Sequence, residues 1–425
     1  MACRFQSGAI LGLLLAFASP ASSQTDCSII GQNTQVRTIL DEFYLWYREL
    51  PDLDPALFDS PEAYLDAVRF RPLDASFSYV SSRQATEAFF SSSQFIGIGF
   101  SMRQTGPLEL RVSQVFPDSP ASESGLARGD FLTAIAGRSI EDLLTNGGLD
   151  EALGPSEIGY TLELSWRTPR GREETATVTK RLVTIPTVSQ TAILDASGLP
   201  VGYVHLRNFV EPSIAALDQA FTELGSAGVT DIVLDLRYNG GGLIDVARHL
   251  GGLIGGFRTS TQVFVELVHN DKNTFRNRTI RFEDPEATLD LPRVVVITTR
   301  ASASSSELLI NGLRPFVPVT VVGERTFGKP VGQYGFDLCD KVLFPVSFEN
   351  KNARGEGGFF DGIPADCEAA DQLGRPLGHP DEDSLAEALH VLTTGRCSPS
   401  PGVRALRTDF SPLARDGYRQ MLNAW

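Results

Sequence analysis

Three short segments hold residue types that could act together. Ser302-Ala303-Ser304-Ser305-Ser306-Glu307 stands immediately before an apolar helical stretch. Lys329 closes Thr326-Phe327-Gly328-Lys329, 25 positions after Ser304, and Gln333 follows four residues later. Upstream, Asp235-Leu236-Arg237-Tyr238-Asn239-Gly240-Gly241-Gly242 ends an apolar run in a glycine-rich loop. A serine hydroxyl is a weak nucleophile until a base takes its proton, and a neutral lysine can do so. An ordinary lysine titrates near ~10.4 and must be lowered by about 3 units by burial before it works near neutrality. The flanking Phe327, Gly328, Pro330 and Val331 fit a dry pocket. Ser304 therefore reads as the nucleophile, Lys329 as the base, and Gln333 as the group that holds the amine in line. The Ser305 amide, with one from Gly241 or Gly242, would stabilise an oxyanion at a helix N-terminus. This is acyl-transfer chemistry without a catalytic histidine. Ser302 and Ser306 remain alternative nucleophiles. Of the five histidines, His205 follows a strand and reads as structural, and the GxSxG elbow is absent.

The elements that must position these groups follow from periodicity. Asp231–Leu236, Val294–Thr299 and Val319–Val322 are apolar runs of buried-strand length. Ala215–Leu224, Ile244–Ile254 and Ser384–Leu392 carry helical spacing, giving an α/β region over residues 188–397. Residues 24–90 read as a small helical cap: Val36, Ile39, Leu40, Phe43 and Tyr47 recur at helical intervals. There Ser60-Pro61 forms an N-cap with Pro at the first helical position. Residues 91–187 change to short strands and Gly-rich turns, and 398–425 form a tail with no clear pattern.

Within that β-rich segment, Gly97-Ile98-Gly99-Phe100 is followed by Ser119-Pro120-Ala121, Gly125-Leu126, Gly129-Asp130 and Ile135-Ala136-Gly137. The series resembles a PDZ domain. The resemblance implies that Gly97, Ile98, Gly99 and Phe100 capture a peptide C-terminus on backbone amides while the peptide adds a strand to the sheet edge. Together with Ser304, Lys329, Gln333 and the Asp235–Gly242 loop, the chain resembles the C-terminal processing peptidases, or tail-specific proteases. Alanine is common in that family where this chain has Ser305, whose amide is unaffected. The resemblance implies a multidomain α/β architecture with a helical cap, a PDZ-like domain and a crotonase-like ββα catalytic core. It also implies a serine endopeptidase using no metal and no organic cofactor, with protein or peptide substrates that have free, apolar C-termini and an activating adaptor as a further partner. The competing readings are a catalytically inactive PDZ-containing adaptor and an acyl-CoA enzyme of crotonase type. All three catalytic side chains are present, against the first, and export opposes the second.

Composition bounds the partners. The 425 residues carry a formal charge of −15 and show no basic run, which argues against nucleic acid. Arg4, the apolar Ala9–Ala18 stretch and Ala21-Ser22-Ser23 form a signal-peptide pattern over residues 1–23. The expected location is periplasmic or secreted, with no stable membrane anchor. Cys27, Cys339, Cys367 and Cys397 then remain in an oxidising compartment as two disulfides. The expected pairing is Cys339–Cys367 and Cys27–Cys397.

Overall fold

The computed structural model describes residues 26–399 and 417–425. The signal-peptide segment and most of the tail lie outside them. At the centre is a six-stranded sheet ordered Val188–Ala196, Leu199–Leu206, Asp231–Asp235, Val294–Thr298, Val319–Gly323, Cys367–Glu368. The first pair is antiparallel and every later pair is parallel. Such strands are covered on both faces, which is why they read as near-continuous apolar runs. Helices Ser213–Ser226, Ile244–Gly255 and Ser305–Leu313 contribute to one core with Val204, Leu234, Val296 and Val321. On the other face, Leu385, Ala388 and Val391 of helix Asp383–Thr394 pack on Tyr203, Val233 and Ile297.

The N-terminal region is helical as expected. Ser60 accepts from the Ala63 amide at 3.1 Å and starts helix Pro61–Val68. Its strand Tyr79–Ser82 pairs with Lys341–Phe344, so this region is built into the far end of the chain. Residues 94–184 hold a β-rich unit. Strands Phe100–Gly106, Glu109–Val115, Phe131–Ile135, Thr161–Arg167 and Glu173–Thr179 form an antiparallel sheet with its own core.

The disulfide pairing differs from expectation. The bridges are Cys27–Cys339 and Cys367–Cys397, with Cα separations of 5.9 and 5.4 Å. Both separations fall in the usual range. The physical reason is the strand pairing just described. It carries Cys339 to the N-terminal region, while the short edge strand Cys367–Glu368 lies beside the end of helix Asp383–Thr394.

A buried charge cluster joins the β-rich unit to the core. The Asp371 carboxylate accepts from Arg103 at 2.7 Å, Arg128 at 2.9 Å, Arg237 at 3.1 Å and the Tyr238 hydroxyl at 2.5 Å. Burial alone would raise this carboxyl, yet the three guanidinium groups hold it far below the usual range. Asp371→Asn removes the one carboxylate partner of Arg128 among the described residues, while Arg103 keeps Glu324 and Arg237 keeps Asp235 and Glu382, and is expected to cost about 3–5 kcal/mol in urea unfolding. Because the folded pKa is depressed, the Asp371 contribution is complete above the unfolded value of ~3.9 and fades as pH falls below it. A loss under about 1 kcal/mol would refute this account.

Candidate active site

The site forms where two neighbouring parallel strands end. In open α/β sheets, ligands bind beyond the carboxyl ends of the strands. Asp231–Asp235 runs into the glycine loop and Val294–Thr298 into the serine cluster, so adjacency in the sheet brings the two loops together. Ser302 anchors the join: its hydroxyl donates to the Leu236 carbonyl at 2.7 Å and accepts the Thr299 amide at 3.0 Å. Ser306 donates to the Asn239 carbonyl at 3.0 Å, and Ser305 to the Gly242 carbonyl at 2.7 Å. Those three hydroxyls are committed. The Ser304 hydroxyl, half-buried at the N-cap of helix Ser305–Leu313, donates to no acceptor among the described residues. Its backbone, at φ 55° and ψ −112°, lies in a region that L-residues rarely adopt. Such strain persists only where the surroundings enforce it.

Glu307 enforces it. The fully buried carboxylate accepts from the amides of Ser304 at 2.9 Å, Gly328 at 2.7 Å and Lys329 at 2.9 Å, and from the Thr326 hydroxyl at 2.5 Å. Burial raises its pKa, opposed by these four donors. One oxygen, Oε2, binds both the Ser304 and the Lys329 amide. The Ser304-x-x-Glu307 spacing, a capping-box pattern, was the available signal for this residue.

Lys329 is 8% exposed, and its Nζ donates to Gln333 Oε1 at 2.6 Å. Both Gln333 amide hydrogens are taken, by the carbonyls of Phe77 and Phe344 at 2.7 Å each, which fixes the oxygen toward the lysine. The Nζ lies 5.8 Å from the Phe77 ring centroid. Burial lowers the Lys329 pKa to about 8, against smaller opposing effects of Asp74 and Glu307. Phe77, brought from the N-terminal region, was missed by sequence reasoning, because a backbone carbonyl carries no motif.

The two loop glycines divide their tasks. The Gly241 amide is already donated to Asn239 Oδ1 at 2.9 Å, so the expectation that it serves an oxyanion is corrected. Gly241 instead permits close approach: a Cβ there would lie 2.7 Å from that of Ser304. The Gly242 and Ser305 amides engage no acceptor among the described residues. Gly242, at φ 141°, is held by Phe209, whose amide donates to the Gly241 carbonyl while its carbonyl accepts from Leu243. His205 stands outside this arrangement. Its ring nitrogens face Ser189 Oγ and the Arg237 carbonyl, and burial lowers its pKa to about 4.

In the β-rich unit, Gly97 ends strand Gln94–Gly97, Ile98 and Phe100 are buried, and Gly99 is at φ 98°.

An exposed-edged serine and a buried lysine at the end of a parallel sheet are features of a hydrolase site, and comparisons with known proteins narrow the class to peptidases. Residues 31–79 match the Peptidase S41 N-terminal domain and residues 200–369 match Peptidase family S41. The chain belongs to peptidase family S41. It is 31% identical over 240 residues to the chloroplastic C-terminal processing peptidase of Tetradesmus obliquus, covering 53% of this chain and 48% of that one. It is 30% identical over 241 residues to the carboxyl-terminal-processing protease of Synechocystis sp., covering 56% and 54%. The chain thus spans about half the length of these curated relatives. Among solved structures, a putative S41 protease from Bacteroides fragilis superposes with TM-score 0.68 at 25% identity, covering 85% of this chain and 97% of that one. The photosystem II D1 C-terminal processing protease shares the fold, with TM-score 0.54 at 22% identity over 86% and 98% of the two chains. No helix among the described residues is long and apolar enough to cross a membrane.

Proposed function

We propose that this chain is an exported serine endopeptidase that cuts proteins recognised by an apolar, unstructured C-terminus. The observation that carries the reading is Lys329: a buried amine whose pKa burial lowers to about 8, oriented by Gln333 and tied to Ser304 through one carboxylate oxygen. Gln333 takes one N–H of the neutral amine, leaving its lone pair for the Ser304 proton. As Oγ attacks the scissile carbonyl, the C–N bond gives way to an acyl-enzyme, and Lys329 passes the proton to the departing amine. Water, deprotonated by the same lysine, then releases the acid and restores Ser304. The amides of Gly242 and Ser305 stabilise the oxyanion. The Gly97–Phe100 loop of a PDZ-like unit receives the substrate tail. Two disulfides in the fold support an oxidising destination.

The test is an unfolded reporter protein ending in apolar residues, offered with a free or an amidated C-terminus, with cut sites mapped by mass spectrometry. Cleavage upstream of the tail, weakened at least about tenfold by amidation, is expected, since one charge-assisted hydrogen bond contributes about 1.5–3 kcal/mol. Binding without cleavage would return the chain to the adaptor class.

A further inference from the structure

The loop assigned above to substrate tails already holds a segment of this chain. Helix Gly417–Leu422 leads into Asn423-Ala424-Trp425, which lies along strand Phe100–Gly106. The Trp425 oxygen accepts from the amides of Gly99 at 2.5 Å and Phe100 at 3.2 Å, and the Trp425 amide donates to the Phe100 carbonyl at 2.9 Å. Ser101 donates through Oγ to the Asn423 carbonyl. The Trp425 backbone thus bonds the sheet edge at Phe100 as the last residue of an added strand would. The Trp425 ring packs on Phe100 at 6.2 Å between centroids, and Leu422 and Ala424 are buried beside Phe95 and Phe116. At Gly97 a Cβ would stand 2.8 Å from the Trp425 carbonyl carbon, so this close approach needs glycine.

A second observation comes from the catalytic core. Arg207 is completely buried and pairs with no carboxylate among the described residues. Its Nη2 donates to the carbonyls of Leu422 at 2.9 Å and Asn423 at 2.8 Å. A buried guanidinium is costly unless hydrogen-bonded, and this segment supplies two of its acceptors. Two residues further on, Phe209 holds the glycine loop in place.

We infer that residues 417–425 are an intramolecular ligand of the peptide groove, one that an incoming substrate tail must displace. The inference rests on the reading of Gly97–Phe100 as a substrate groove. It also specifies the ligand chemistry: an aromatic residue whose oxygen meets the Gly99 and Phe100 amides, a small apolar residue before it, and a leucine three positions upstream. Arg207 bonds backbone carbonyls of the occupant and lies two residues from Phe209, which holds the Gly241–Gly242 loop.

The experiment uses the 425-residue chain, a variant lacking residues 417–425, and Trp425→Ala, which keeps the Leu422 and Asn423 carbonyls for Arg207. A labelled synthetic peptide of residues 417–425 is titrated against each by fluorescence anisotropy. An internal competitor lowers apparent affinity by the fraction of open groove, and tethering gives an effective concentration of order mM. Peptide binding should therefore be at least about tenfold tighter to either variant than to the intact chain. In the reporter assay, KM should fall for both variants and rise again when free peptide is added. Equal peptide affinity in all three proteins, with Trp425→Ala melting as a folded protein, would overturn the inference. Because binding is read without turnover, unmasked binding with no cleavage would remove the peptidase reading and leave this one standing.

Discussion

Ser304→Ala and Lys329→Ala are each expected to lower kcat/KM by at least about 10⁴-fold, the scale of losing a nucleophile or its base. The two losses should not add, because neither group works without the other. Folding should survive both changes. Ser304→Gly should be inactive yet more stable than the parent by about 1 kcal/mol, because glycine relieves the unfavourable backbone conformation. In the parent, the rate follows the neutral fraction of Lys329. With its pKa near 8, that fraction rises about tenfold from pH 7 to pH 9, and kcat/KM should rise with it. Stability moves in the same direction. The folded pKa is depressed below the unfolded value of 10.5, so between about 8 and 10.5 the unfolded chain binds more protons, and stability increases with pH across that window. A flat rate from pH 6 to 9, with chemistry limiting, would exclude lysine as the base.

Glu307→Ala is expected to produce the largest loss of stability at the site. Its carboxylate is the acceptor for three backbone amides and one hydroxyl, all buried. Leaving a buried donor unsatisfied costs about 1–3 kcal/mol, so four together should cost about 4 kcal/mol or more. Glu307→Gln is the sharper probe. It keeps the volume but turns an N–H toward donors, so either the Ser304–Lys329 pair or the Gly328–Thr326 pair loses its acceptor. Turnover should fall at least about 10²-fold through kcat rather than KM, the signature of misplacing groups without removing them. A Glu307→Gln enzyme with normal kcat would show that this carboxylate supports the fold alone.

Most of the proposed catalytic set was legible because its chemistry is carried by side chains at fixed local spacing. Ser304, Lys329 and Gln333 are recognisable within a few residues of context, and the strands that deliver them are Val-rich runs ending in glycine or serine. The failures have a common physical origin. Gly241 and Gly242 are chemically identical in sequence, and only the direction of each N–H, set by Asn239 and Phe209, separates them. The disulfide partners depended on strand Tyr79–Ser82 crossing to Lys341–Phe344, a pairing with no local signature. Helix Gly417–Leu422 is too short for a periodic signal, and Asn423-Ala424-Trp425 are placed by bonds to the sheet edge at Gly99–Ser101 rather than by their own propensity. Phe77 contributes through its carbonyl, which every residue possesses.

That last contact bears on when the molecule can act at all. Gln333 is held by Phe77 from the first quarter of the chain and by Phe344 from the last, and Cys27–Cys339 fastens the same two regions across 312 residues. Ser304 can be synthesised and its helix formed while Gln333, the hydrogen-bond partner of Lys329, still lacks one of its two supports. A growing chain, or one clipped ahead of Tyr79, would thus possess every side chain of the dyad yet no assembled site. Assembly of the site is thus timed by closure of the chain upon itself, and no complete Ser304–Lys329–Gln333 arrangement exists while the chain is still being made.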